Sequence, residues 1–207
     1  MVNGEAGHRR TQAERSAATR RALVEAATAL FAEKGFAGAG REEIVAAAGV
    51  TRGALYHHFA DKADLFRAVF ESVERQVLGQ VAEAAMRADD PVEQLRLGCH
   101  AYLDVALDPS VRRICIVDAP AVLEPAVRQE IAVDHAVGLV RESLAAAITA
   151  GRIAEQPVDA LAQVLIAAVM AAAQYVASSE DAAQARIDAA AAIDRLLAGL
   201  TEPEPAG

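Results

Sequence analysis

The chain has 207 residues, 54% of them hydrophobic but only 4% aromatic and none Trp, which is enough for one large domain or two small ones with cores built largely on alanine. Alanine favours helix and disfavours strand, so composition points to an all-α protein. Two cysteines, Cys99 and Cys115, rule out a disulfide framework and fit buried free thiols in a reducing, cytoplasmic compartment.

The net charge of −9 counts against nucleic acid, but the charge is unevenly spread. Residues 1–60 hold eight Lys/Arg against six Asp/Glu, a balance of +2; the remainder holds 12 against 23, a balance of −11. Any DNA surface is therefore expected in the first third, with the acidic body turning the basic end toward phosphate.

In chain order, residues 1–14 read as a flexible arm with no apolar stretch of the signal-peptide kind. A first helix is expected from Arg15 or Ala17 to Lys34, with Leu23, Ala27, Leu30 and Phe31 on one face and Gly35 ending it. A second spans about 40–48 with Ile44 and Ala48 inward, and Gly49 and Val50 make a tight turn. Thr51 caps a third helix through His57, anchored by Leu55 and Phe59. Asp61 caps a fourth, carrying Leu65, Phe66, Val69 and Val73 into the 80s.

Beyond it, Asp89, Asp90 and Pro91 break the chain before a helix through Cys99, Leu103 and Leu107, and Asp108 and Pro109 break it again. The segment 110–120 has the β-branched look of a strand, but its helical context predicts a helix ending near Pro120. Helices follow at about 125–150, 158–177 and 181–198, giving nine or ten in all, and TEPEPAG is an expected flexible tail. The apolar run 161–177 is interrupted by Gln163 and Gln174 and is short for a membrane span, so a buried interface helix is the reading and no membrane is expected.

The stretch GREEIVAAAGVTRGALYHHF, residues 40–59, is two short helices joined by a turn containing glycine, the pattern of a helix-turn-helix or of an ordinary helical hairpin. With Val50 and Leu55 turned inward, its second helix presents Thr51, Arg52, Gly53, Tyr56 and His57 outward, a set able to donate to phosphates or base edges. The adjacent His57 and His58 point in different directions on a helix, which argues against a shared metal ion.

Residues 21–70, and AAAGVTRGALYHHFADKADLF above all, resemble the tetracycline-repressor (TetR) family of bacterial regulators. The resemblance implies an N-terminal three-helix DNA-binding domain, a C-terminal helical ligand-binding and dimerisation domain, and repression relieved by a small molecule. By position it implies that Thr51 and Arg52 open the recognition helix, that Gly53 lets it approach the groove and that the Tyr56 hydroxyl meets a phosphate. It also sets His57 near DNA and Lys62 on a phosphate at a helix start. The chain departs from the family where a Thr or Ser usually caps the second helix: here it reads Ala39, Gly40, Arg41, Glu42, Glu43. Arg41 is expected to offset the two acids by contacting a phosphate.

In the C-terminal body, residues 108–123 look like one broad branch of the same family, and no nucleotide-binding or hydrolase motif is present, so no enzyme and no cofactor are expected. Candidate ligand-binding residues are Cys99, His100, Tyr102, Asp104, Asp118 and His135. His100 and Asp104 share a helix face and could with His135 hold a divalent metal, but pairing within the protein is the preferred reading and no metal is assigned. Leu161, Leu165, Val169, Val176, Ile193 and Leu197 are the expected homodimer interface, since the 158–177 helix is apolar around most of its circumference; a monomer using it as a core helix is the alternative.

These readings divide the chain into an arm (1–14), a helix-turn-helix domain (15–60), a connecting helix (61–84), a ligand-binding and dimerisation domain (85–200) and a tail (201–207). The expected function is a ligand-responsive regulator, probed by three partners: a near-palindromic double-stranded DNA operator, a second copy of the chain and a small-molecule effector. The alternative is a small-molecule-binding or assembly protein that no longer reads DNA.

Overall fold

The computed structural model describes residues 11–201, in which every regular element is helical. Those residues fall into two compact units divided between Val69 and Phe70, inside the fourth helix.

The first unit holds α1 (Gln12–Gly38), α2 (Arg41–Ala48), α3 (Arg52–His58) and the start of α4 (Lys62–Ala85). α1 begins three residues before its expected start because Thr11 and Glu14 form a complete capping box: the Glu14 amide donates to the Thr11 hydroxyl at 3.2 Å and the Thr11 amide to the Glu14 carboxylate at 2.7 Å. The part of the expected arm from Gln12 to Glu14 is thus helical, and its residues 1–10 lie outside the described region. Gly35 stands at φ 71°, ψ 170°, a conformation open essentially to glycine alone, and this breaks the α1 path where the sequence places its end. Phe36 then turns back so that Phe31, Phe36 and Phe66 form a triangle with ring centroids 5.2–5.8 Å apart. Phe31, Phe66, Leu23, Ile44 and Leu65 are fully buried around it. Gly49, at φ 64° and ψ 31°, closes α2 in the left-handed region and makes the tight turn into α3.

The second unit is built from the rest of α4, α5 (Pro91–Val105), α6 (Pro109–Val111), a π-helical segment (Arg112–Asp118), α7 (Ala119–Val122), α8 (Pro125–Thr149), α9 (Val158–Ser178) and α10 (Ala182–Thr201). Both Asp-Pro breaks are helix starts. Asp90 accepts from the Val92 and Glu93 amides, Asp108 from those of Ser110 and Val111, and each proline takes the first helical position, where no amide hydrogen is needed. The strand-like segment is helical but wound wide. The Ala119 amide bonds the Ile114 carbonyl five residues back, and the wider turn aligns Arg113 with Asp118, whose side chains meet at 3.3 Å. It ends at Val122 rather than at Pro120, because Pro120 sits in the first turn of α7, where a proline is tolerated.

α9 packs against α5, α8 and α10. It is long and apolar enough by composition to cross a membrane, with a mean hydropathy of 1.8, but one side of it is the centre of this unit's core. Leu165, Val169, Ala173 and Val176 are buried there together with Leu144 of α8, Leu103 of α5, and Ile193 and Leu197 of α10.

Candidate DNA interface and ligand cavity

α3 is short and held at both ends. The Thr51 hydroxyl accepts from the Ala54 amide at 3.2 Å, and Leu55 and Phe59 are buried beneath the helix. That anchoring leaves Thr51, Arg52, Gly53, Tyr56 and His57 exposed on the other side, while His58 is half-buried. Two guanidinium groups lie near the Tyr56 ring, Arg41 at 5.8 Å and Arg52 at 5.7 Å from its centroid, and Arg52 also donates a hydrogen bond to the Tyr56 hydroxyl. Lys62, in the first turn of α4, rests its ammonium 4.6 Å from the Phe36 ring. Arg41, Tyr56 and Lys62 line one shallow depression. Partial burial, and then the neighbouring Arg41 charge, hold the Lys62 ammonium below its ordinary pKa. The two cations share the depression with one acid, Asp61, and an anion there would relieve the repulsion between Arg41 and Lys62.

The start of α4 is capped by the Asp61 carboxylate, which accepts from the Asp64 amide at 2.8 Å, while Asp64 accepts from the Ala60 amide at 3.0 Å. At α2, Gly40 provides no side-chain cap, as its sequence requires. Glu43 partly compensates by accepting from the Gly40 backbone, and it pairs with Lys34, which lowers its pKa chiefly through that side-chain hydrogen bond. Glu42 pairs with Arg52 at 3.1 Å. The two acids that depart from the family pattern are thus both engaged by cations of this unit, a pairing that sequence spacing does not reveal.

The second unit contains a cavity of about 330 Å³ bounded by α4, α5, α8 and α9. Of the candidate ligand residues, Cys99 and Tyr102 line it. Burial first, and then the Asp194 charge, push the Cys99 thiol up to about 12; burial, then Glu74 and Cys115, push the Tyr102 hydroxyl well above its usual value. Both therefore remain protonated near neutral pH.

His100, Asp104 and Asp118 are not among the lining residues, which corrects the expectation. The face of α5 that carries His100 and Asp104 meets α10 instead. His100 Nε2 lies 2.7 Å from Asp194 Oδ1, and Arg186 Nε donates to Asp104 Oδ1 at 2.7 Å. Asp118 is paired with Arg113 in the π-helical segment. The His135 side chain lies outside the described residues. Among the described residues, no group of three potential ligands is arranged to hold a metal.

The proposed dimer residues are also reassigned. Leu165 and Val169 line the cavity, Val176, Ile193 and Leu197 are buried in the protomer's own core, and Leu161 is half-buried against it. A side chain already buried within one subunit has no surface left for another. α9 leaves Val164, Ala167, Ala171 and Tyr175 exposed on its opposite side, with Val164 66% and Tyr175 52% exposed.

Comparison with known proteins agrees with both halves. The family model for bacterial regulatory proteins of the tetR family matches residues 23–69, and that for the tetracyclin repressor-like C-terminal domain matches residues 92–200. The crystal structure of a TetR-family transcriptional regulator from Pectobacterium atrosepticum shares 34% identity and a TM-score of 0.82, covering 94% of this chain and 99% of that one.

The chain belongs to the TetR family.

The HTH-type transcriptional regulator CymR of Pseudomonas putida is 38% identical over 125 residues, 59% of this chain and 61% of CymR. The chain spans about half to three fifths of the length of the curated relatives it matches first. FadR of Bacillus subtilis, solved in complex with stearoyl-CoA, shares the fold with a TM-score of 0.65 at 19% identity, covering 88% of this chain and 97% of that one.

Sequence reasoning missed two features of this TetR-family chain. Glu74 is buried on α4 between Val73 and Val77 and accepts from the Cys115 thiol; burial holds its carboxyl above the ordinary glutamate range. A carboxylate inside an apolar stripe is the signal that could have found it. The other is Gly98, part of the cavity wall, where α5 passes close to α4: a Cβ there would be in van der Waals contact with Val81 Cγ1 at 3.6 Å.

Proposed function

We propose that this chain is a ligand-responsive transcriptional repressor of the cytoplasm that binds a near-palindromic operator as a homodimer and is released by a small molecule. The observation that carries the reading is the cluster of Arg41, Arg52 and Lys62 around exposed Tyr56, in a chain whose net charge is −9. Such a cluster suits phosphate oxygens on either side of a groove entered by α3. The Tyr56 hydroxyl, Lys62 and Arg41 are assigned to phosphates, and Arg52 and Thr51 to the groove edge. Gly53 allows close approach and His57 flanks the contact.

The effector is assigned to the α4–α5–α8–α9 cavity, whose size falls at the lower end of the ~300–1,000 Å³ range of ligand pockets. Leu78, Val81 and Ala82 of α4 line it, so a ligand bearing on them acts on the same helix whose first turn carries Lys62. The release of a DNA contact by such a ligand is reciprocal: DNA would weaken ligand binding by the same factor. FadR of Bacillus subtilis, a regulator of this fold, was solved in complex with stearoyl-CoA, in keeping with a ligand-responsive reading.

The test is fluorescence anisotropy with a labelled duplex taken from upstream of the chain's own gene, titrated at several salt concentrations. Saturable binding that weakens steeply with salt supports the reading. Binding absent at low salt rejects it in favour of a ligand-binding protein that no longer reads DNA.

A further inference from the structure

Resting on the reading of the α4–α5–α8–α9 cavity as the effector site, we infer that its ligand is an uncharged, mainly apolar molecule carrying at most a neutral hydrogen-bonding group, and that organic anions are excluded. The argument is one of charge complementarity. Among the described lining residues none carries a positive charge, and the single charged one is an acid, Glu142, on the exposed side of α8; Arg128, one turn before Ala132 on α8 and with its Nε buried, is not among them. The remaining wall is aliphatic or small, with Cys99, Tyr102, Gln94 and Ser143 as its neutral polar groups.

A carboxylate, sulfonate or phosphate entering this space would lose its water and find no counter-charge, a cost that burial of an unpaired ion makes large. The electrostatics behind the wall act in the same direction. Burial is the main reason that the Tyr102 hydroxyl and the Cys99 thiol stay protonated, with smaller contributions from Glu74 and Asp194. The polar groups offered to a ligand are thus neutral donors backed by acids. They suit a carbonyl, ether or hydroxyl, and they bring an anion no counter-charge. Gly98 sets the space available, since a larger residue there would project into the volume the ligand needs.

Two fluorescent probes that share a ring system and differ by one sulfonate test this directly: N-phenyl-1-naphthylamine, which is uncharged, and 1-anilinonaphthalene-8-sulfonate. The full-length protein is titrated with each, alongside Gly98→Leu on α5 and Ala136→Phe on α8, which fill the cavity from different walls. Folding of each variant is checked by circular dichroism. The expected result is a Kd for the amine at least about tenfold below that of the sulfonate, corresponding to one buried charge left without a partner. Either folded variant should weaken the amine by a similar factor.

Sulfonate binding as tight as the amine, and lost in the same variants, overturns the ligand class while leaving the cavity as a binding site. Amine binding that is absent, or that survives unchanged in both folded variants, overturns the assignment of the ligand to this cavity as well. Sulfonate binding that both variants leave intact belongs to the basic surface of the first unit and, with amine binding lost, supports the inference.

Discussion

At Tyr56 and Lys62, local chemistry makes separable predictions. The aromatic ring of Tyr56 lies near Arg41 and Arg52, so Tyr56→Phe keeps those ring contacts and removes the hydroxyl together with its hydrogen bond to Arg52. DNA affinity is expected to fall about five- to tenfold on many sequences alike, the worth of one hydrogen bond to a phosphate. Lys62→Ala should reduce the slope of log affinity against log salt by about one, measured by anisotropy over a salt series. Arg52 differs from both, because Glu42 already holds it; any change in base preference on Arg52→Ala is read by binding-site selection from a randomised duplex. Glu74 gives a pH prediction. Its folded carboxyl titrates above the unfolded value of 4.5, so the stabilisation is complete below that value and is lost as pH rises toward the folded one. Wild-type melting temperature should therefore fall as pH rises above 4.5 more than that of Glu74→Gln, which has no charge to bury. The outward set on α3 was legible in the sequence because it lies in a dense local motif. The Glu42–Arg52 and Lys34–Glu43 pairs were not, since they join residues nine or ten positions apart on different helices.

At the scale of the element, backbone conformation decides where helices end. Gly49 adopts the left-handed region and has nothing within 4 Å of its would-be Cβ, so Gly49→Ala should cost about 1 kcal/mol from backbone strain alone. Gly35 is buried and lies in a region that alanine avoids more strongly; Gly35→Ala should cost about 2–3 kcal/mol, read from urea unfolding midpoints at constant slope. Both glycines were visible as punctuation in the sequence, and so were the aspartates that cap α5 and α6. What the sequence could not assign was which neighbour each face meets. His100 and Asp104 do share a face, as their spacing requires, but that face is sewn to α10 by Asp194 and Arg186 rather than open to a ligand. Periodicity tells that two residues point the same way and is silent about what lies there. The π-helical segment was equally hidden, because its β-branched run carries no mark of a five-residue turn.

For the whole molecule, the reading rests on two-fold pairing and on DNA. α9 is apolar on both sides, which the sequence registers as a single signal; one side is spent on the protomer's own core, and the other exposes Val164, Ala167, Ala171 and Tyr175. A charge at Val169 would disrupt the core and the cavity, so the dimer is tested by Ala171→Glu on the outward side. Sedimentation equilibrium at micromolar protein should give a dimer of the 21.6 kDa chain, and Ala171→Glu should shift it toward monomer without loss of helicity. A wild-type protein that sediments as monomer removes the two-fold arrangement. The central claim is that the exposed face of α3, with Lys62 beside it, binds DNA. Its most direct test is an anisotropy titration of the upstream duplex with wild type and the Tyr56→Phe, Lys62→Ala double variant at moderate salt. Tight binding by wild type and a loss of about tenfold or more in the double variant is the predicted result, with strict additivity not expected because both residues line one depression beside Arg41; equal binding by the two proteins, both folded, would contradict it.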